Sequence, residues 1–210
     1  MKERGILVIF SGFSGAGKGT VIKGVTEKYD NYALSISATT RQPRQGEENG
    51  REYYFKTVDE FEQMIKEDKL IEYAKYVDNY YGTPREYVEN KLSEGYDVVL
   101  EIELQGAMKV KEKMKDAVLI FLTPPSAEEL KRRLTGRGTE NEDVINLRLD
   151  RASTEAQYMD KYDYILVNDQ LDKCIEDFHE IVQTEHKKVN RNMKFIDKIK
   201  KEVKVFSKGE

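Results

Sequence analysis

The sequence predicts an α/β protein in three layers, αβα, with a parallel central sheet, a small inserted lobe of mixed strands and a helical lid. Three observations carry that expectation. Apolar β-type runs at 6–10, 33–37, 98–102, 117–122 and 164–167 alternate with helical patterns, the order that builds a parallel sheet covered on both faces. The first run leads through a glycine-rich loop directly into a helix. The stretch from about 40 to 81 breaks the alternation, being rich in Tyr, Glu and Arg, with one helix expected at 59–66.

The run at 6–10 has the pattern of a strand buried on both faces. After it come Gly12, Phe13, Ser14, Gly15, Ala16, Gly17, Lys18, Gly19 and Thr20, and then a helix with Val21, Ile22 and Val25 as its apolar face. Strand, glycine loop, Gly-Lys and helix is the context of a phosphate-binding P-loop. Its glycines let successive amides turn inward, and the helix points its positive end at the same place. Lys18 adds a point charge within reach of the outer phosphates. Gly19 stands in the Ser/Thr slot of the motif, and the hydroxyl arrives one residue later at Thr20.

The remaining helices carry start signals. Thr83-Pro84-Arg85-Glu86 has a threonine N-cap, proline at the first helical position and glutamate three residues after the cap. Ser126-Ala127-Glu128-Glu129 and Thr139-Glu140-Asn141-Glu142 repeat the capping-box arrangement.

Composition sets the outer bounds. The 210 residues make one domain with small insertions, and 39% hydrophobic residues suffice for a core. A net charge of −4 speaks against general nucleic-acid binding. One cysteine, Cys174, excludes a disulfide within the chain and fits a cytoplasmic setting. No apolar run approaches the roughly 20 residues a bilayer requires. Met1-Lys2-Glu3-Arg4 runs straight into the first strand and leaves no room for a signal peptide.

The stretch Ser35-Ile36-Ser37-Ala38-Thr39-Thr40-Arg41-Gln42-Pro43-Arg44-Gln45-Gly46-Glu47, with Asn49-Gly50, Tyr53 and Phe55 behind it, resembles the nucleotide-monophosphate lobe of guanylate kinases. The resemblance continues in order through Leu70-Ile71-Glu72-Tyr73, Asn79-Tyr80-Tyr81-Gly82-Thr83, Glu101-Ile102-Glu103-Leu104-Gln105-Gly106 and Pro124-Pro125-Ser126. Arg133-Leu134-Thr135-Gly136-Arg137-Gly138-Thr139-Glu140 and Val167-Asn168-Asp169 complete it, over about residues 5–186. It implies a core of 1–36, 84–130 and 155–190, a GMP-binding lobe at about 37–83, a lid at about 131–154 and a basic extension at 191–210. It also implies the reaction: ATP plus GMP, with dGMP as a further acceptor, gives ADP plus GDP with Mg²⁺, in purine nucleotide metabolism.

The residues make chemical sense in those roles. Guanidinium forks suit a dianionic phosphate, and tyrosine hydroxyls donate without adding charge. The resemblance assigns Arg41, Arg44, Tyr53 and Tyr81 to the GMP phosphate. Guanine sets a carbonyl acceptor beside two donors, so a carboxylate can take the donors and a hydroxyl the carbonyl. The resemblance places Glu72 at the donor edge and Ser37 and Thr83 near the carbonyl, with Gly82 also in the GMP site. Glu101 and Glu103 lie two apart at a strand end and can share a face. Two roles are open to them, holding Mg²⁺ through water or accepting from the guanine amine. The resemblance gives Glu103 to the base and Glu101, with Thr20, to the metal.

Phosphoryl transfer needs in-line positioning and positive charge more than proton chemistry. The resemblance gives that charge to Lys18, Arg44, Arg133, Arg137 and Arg148. Arg137, flanked by Gly136 and Gly138, sits where a hinge would deliver it. ATP falls to residues 12–20, Arg133, Arg137, Asn168 and Asp169. Lys131 and Arg132 read as surface charges, and His179 and His186 as structural. The lysine-rich tail beyond 187 has a partly helical apolar pattern open to packing on the body, to a dimer, to fraying or, ranked last, to touching a membrane or nucleic acid. The expected partners are ATP and GMP, with no nucleic acid and no membrane, in a monomer or homodimer. Two rivals remain: a kinase for another phosphorylated acceptor, and a catalytically silent binding module of the same shape.

Overall fold

Alternation along the first strand decides the layering. The structure, a computed structural model, describes residues 3–76, 78–136 and 142–206. Its strands are β1 (Leu7–Gly12), β2 (Tyr32–Leu34), β3 (Ala38–Thr39), β4 (Tyr54–Phe55), β5 (Leu70–Tyr76), β6 (Asn79–Pro84), β7 (Asp97–Glu101), β8 (Val118–Thr123) and β9 (Tyr164–Val167). Its helices are α1 (Lys18–Lys28), α2 (Val58–Lys66), α3 (Arg85–Ser93), α4 (Leu104–Lys113), α5 (Ala127–Thr135), α6 (Glu142–Ala156), α7 (Leu171–His186) and α8 (Met193–Phe206). The large sheet has the order β2-β7-β1-β8-β9, and every pairing in it is parallel.

Ile6, Val8 and Phe10 face one way and pack with Val21, Ile22 and Val25 of α1 and Ile175, Phe178 and Val182 of α7. Leu7 and Ile9 face the other way, against Val88 and Leu92 of α3 and Ala107 and Val110 of α4. Successive side chains of a strand point to opposite faces, so an all-apolar run serves two cores. This is the expected three-layer αβα architecture.

The stretch that breaks the alternation forms the second sheet, order β4-β3-β6-β5, with β3–β4 parallel and β3–β6 and β5–β6 antiparallel. It has its own small core of Ala38, Phe61 and Leu70. α2 starts at a full capping box: Glu60 N–H donates to Thr57 Oγ1 at 3.2 Å and Thr57 N–H to Glu60 Oε2 at 2.7 Å.

One expected cap is corrected. Thr83 lies within β6, the N-cap of α3 is Pro84 with no side-chain cap, and the Thr83 hydroxyl goes elsewhere. Ser126 does cap α5, accepting from Glu129 N–H at 3.1 Å. The expected box at Thr139 lies outside the described residues, as do Arg137 and Gly138.

Both histidines are tied into the body. His179 stacks on Tyr29 with ring centroids 3.8 Å apart and shares a hydrogen bond with the Tyr32 hydroxyl at 2.8 Å. His186 Nε2 lies 2.8 Å from Asp97 Oδ1. Cys174 is buried in the α7 core, where burial pushes its thiol up to about 12. No helix among the described residues is long and apolar enough to cross a membrane. The basic extension is helical over Met193–Phe206, and no residue of that helix is buried.

Candidate active site

The end of β1 and the start of α1 build the first half of the site. Gly15 and Gly17 have φ of +89° and +97°, which side-chain-bearing residues rarely adopt. A Cβ on Gly17 would also stand 2.6 Å from Asn168 Nδ2. Gly17 is the N-cap of α1 and offers no side-chain cap. The first amide to bond back is Val21, to Gly17 O at 3.0 Å, so the amides of Lys18, Gly19 and Thr20 have no carbonyl within the helix. Three donors and the helix's positive end therefore converge on the loop, which is the construction of an anion site. Around Gly19 there is open space, and Thr20 is exposed.

The loop is braced by α5, α6 and the turn after β9. Asn168, buried, donates Nδ2–H to Ala16 O at 2.8 Å. Arg133 donates to Asn168 O at 2.8 Å, to Ala16 O at 3.3 Å and to Glu129 Oε1 at 2.7 Å. Hydrogen bonds from Arg132 and Arg133 pull the Glu129 carboxyl down to about 2. Arg148 Nη1 donates to Ser14 Oγ at 3.1 Å. Lys18 Nζ lies across the loop mouth, donating to Gly12 O at 2.8 Å and Phe13 O at 3.2 Å. Phe13 is buried edge-on to Phe121, and Asp169 is exposed in the turn before α7.

A cleft of roughly 680 Å³ opens beside this loop, lined by Gly12, Ser14 and Lys18, by Glu101, Ile102 and Glu103 from the end of β7, and by Tyr53 from the small sheet. The two glutamates thus do reach one cleft. Glu101 touches water at the strand end, yet the crowding of neighbouring groups raises its carboxyl, with Lys18 opposing the rise. The far wall is one face of α6: Val144, Leu147, Arg148, Arg151 and Glu155. Among these only Arg148 was singled out by sequence. Arg151 and Glu155 follow it three and seven residues on, the spacing of a helix face, and that period was the available signal. Burial raises the Glu155 carboxyl, and its Oε2 is buried without a hydrogen-bond partner among the described residues.

The small sheet supplies the other wall. Arg41 lies with its guanidinium carbon 5.3 Å from the Tyr53 ring centre, and the Tyr53 and Tyr81 rings meet edge to face at 6.2 Å. The Arg44 side chain is exposed. Glu72, on β5, is buried and accepts the Thr83 hydroxyl at 2.7 Å. Burial pushes its carboxyl up, and the Thr83 bond and Lys109 oppose this. Its Oε2 faces α4, where a Cβ on Gly106 would be 3.4 Å away. Gly82 lets β6 approach β5 closely, since a Cβ there would sit 2.8 Å from Glu72 O. A hydroxyl has one proton, so Thr83 cannot donate to a base carbonyl while it holds Glu72. Of the two expected carbonyl donors, Ser37 alone keeps that capacity.

The guanylate kinase family profile matches residues 4–185. A guanylate kinase of Lactococcus lactis is 52% identical over 191 residues, 91% of this chain and 93% of its own length. One of Caldanaerobacter subterraneus is 50% identical over 202 residues, 96% of this chain and 98% of its own. A crystal structure of guanylate kinase from Anaplasma phagocytophilum, 34% identical, superposes with a TM-score of 0.70 over 90% of each chain. With a profile spanning nearly all of the sequence and relatives alike over almost their full lengths, the chain belongs to the guanylate kinase family, the nucleoside monophosphate kinases that phosphorylate GMP with ATP.

Proposed function

We propose that the chain transfers the γ-phosphoryl group of ATP to GMP, with ATP at the P-loop and GMP in the lobe formed by β3 to β6. Family membership supports the reaction. The acceptor's identity rests on one observation above all: a buried carboxylate, Glu72, held by Thr83 and with its second oxygen facing α4. Guanine offers a ring N–H and an amine to such a group, whereas adenine would oppose it with a ring-nitrogen acceptor. Ser37 serves the guanine carbonyl, and Glu103, at the start of α4, takes a further amine hydrogen. Arg41, Arg44, Tyr53 and Tyr81 take the GMP phosphate.

On the donor side the loop amides and Lys18 hold the ATP phosphates, and Lys18 leaves its carbonyl partners to follow the transferring group. Arg133 and Asn168 keep the loop in shape and, with Asp169, border the adenine. Arg148 and Arg137, both within the lid at about 131–154, bring charge to the equatorial oxygens as that lid closes. No general base is required, because the attacking oxygen belongs to a phosphate.

The oxygen donors at the cleft suit Mg²⁺. Among the described residues no group of three or more His, Cys, Asp or Glu could hold a metal alone, which fits an ion held mainly by nucleotide phosphates and water. Glu101 and Thr20 are the protein groups for it, and the ion would neutralise charge on the bridging phosphates. The setting is cytoplasmic, and dGMP is accepted because no role above depends on the ribose 2′-hydroxyl.

Coupled measurement of ADP release across GMP, AMP, UMP and CMP tests this reading. Turnover confined to GMP is expected. Comparable rates with AMP would refute the role of Glu72.

A further inference from the structure

We infer that Glu47, in the loop between β3 and β4, is a positioning residue for the acceptor phosphate: its carboxylate brackets the Arg41 guanidinium. This deepens the proposed function and rests on the assignment of Arg41 to the GMP phosphate.

Both Glu47 oxygens lie 2.9 Å from Arg41 Nη2, and the two side chains are only 16% and 18% exposed. Glu47 Oε2 also accepts the backbone N–H of Arg44 at 2.8 Å. Glu47 N–H in turn donates to Arg44 O at 3.1 Å, closing a turn in which Gly46 takes φ +88°. One carboxylate therefore fixes the side chain of the first arginine and the backbone of the second. The Arg44 N–H and Arg41 hold its carboxyl below the usual range, so it stays charged at neutral pH.

Arg41 is held on its other sides as well. Nη1 donates to Gln42 O at 2.7 Å, and the guanidinium lies over Tyr53 and Phe55, at 5.3 and 5.8 Å. A guanidinium has five N–H donors, so Nε–H and one Nη1 hydrogen are left beyond these bonds, on a side chain that also meets the Tyr81 hydroxyl, itself assigned to the phosphate.

Two opposite consequences can be weighed. Glu47 could stand in for the phosphate and have to be displaced, or it could remain and keep Arg41 aimed. The Arg44 amide and the turn anchor the carboxylate independently of Arg41, so it stays. Arg41 then acts as a pre-ordered directional donor, sparing the cost of ordering a long side chain on binding. Because Glu47 cancels its formal charge, long-range attraction of the dianion falls to Arg44.

Steady-state kinetics on the full chain with Glu47→Gln, Arg41→Met and the double variant decide the matter. Glu47→Gln should raise KM for GMP about tenfold, the scale of one charge-assisted hydrogen bond, with kcat and KM for ATP within about twofold. The double variant should be no worse than Arg41→Met, because a bracket without its guanidinium has nothing to hold. An unchanged KM would overturn the inference, a lowered one would mean that Glu47 competes with phosphate, and additive losses would mean a merely structural loop residue. If Arg41→Met itself leaves KM for GMP unchanged, the assignment of Arg41 fails instead. Thermal unfolding of each variant separates these outcomes from loss of folded protein.

Discussion

The Thr83 hydroxyl donates to Glu72 Oε1 at 2.7 Å inside the protein, linking two antiparallel strands across eleven residues of sequence. The bond turns a buried carboxylate and opposes the rise that burial imposes on it, and it commits the only proton Thr83 has. Thr83→Val takes the hydroxyl partner from that carboxylate and leaves it the backbone of residue 83, a loss of about 1–3 kcal/mol. The expected result is a lower Tm together with a raised KM for GMP, while Thr83→Ser, which keeps the hydroxyl, stays close to wild type in both.

Acid should weaken GMP binding before it weakens ATP binding. The Glu72 carboxyl sits above its ordinary value because of burial, and only its ionised form accepts both guanine donors. As pH falls through that raised value the group protonates, so KM for GMP climbs while KM for ATP holds. For stability the sign is opposite: as pH rises through the window between the ordinary and raised values, ionising buried Glu72 costs folding energy. Paired pH profiles of the two KM values check the first statement. A Glu72→Gln variant, with no group to titrate there, should flatten the GMP profile.

Asn168→Ala removes the buried amide that holds Ala16 O and leaves that P-loop carbonyl only the longer 3.3 Å bond from Arg133, at a cost of about 1 kcal/mol. KM for ATP should rise while KM for GMP changes little. Gly17→Ala should do more harm, because its Cβ meets Asn168 Nδ2 at 2.6 Å and the backbone has φ +97°. Nucleotide titration of both variants provides the comparison.

Lys18→Met should lower kcat by about 10²–10³-fold, the scale seen when one preorganised donor at a developing charge is removed. The fold should survive, since Lys18 is only half-buried and bonds to the loop carbonyls of Gly12 and Phe13. Single-turnover rates at saturating nucleotides, set beside the unfolding curve, measure both.

Much of this was legible in the sequence, for identifiable reasons. The P-loop was readable because its glycines are required by local backbone geometry, and the central strands because a strand buried on both faces is apolar throughout. The edge of the small lobe was not. Thr83-Pro84-Arg85-Glu86 has the local chemistry of a helix cap, yet the hydroxyl is claimed by Glu72 on a neighbouring strand, a pairing that no local pattern displays. Asn168 reads as turn chemistry, and only the fold brings its amide under Ala16. Arg151 and Glu155 were within reach, one and two turns beyond Arg148 on the same face of α6. Glu47 lay in plain view, but its pairing depends on how the 44–47 turn closes.

The central claim is that a buried carboxylate selects the base, and the ratio of kcat/KM for GMP over AMP tests it most directly, measured for the wild type and Glu72→Gln. The account predicts a large ratio that collapses in the variant, through a fall in GMP turnover of about 10²–10⁴-fold while ATP binding persists. A variant that keeps the wild-type ratio would contradict it.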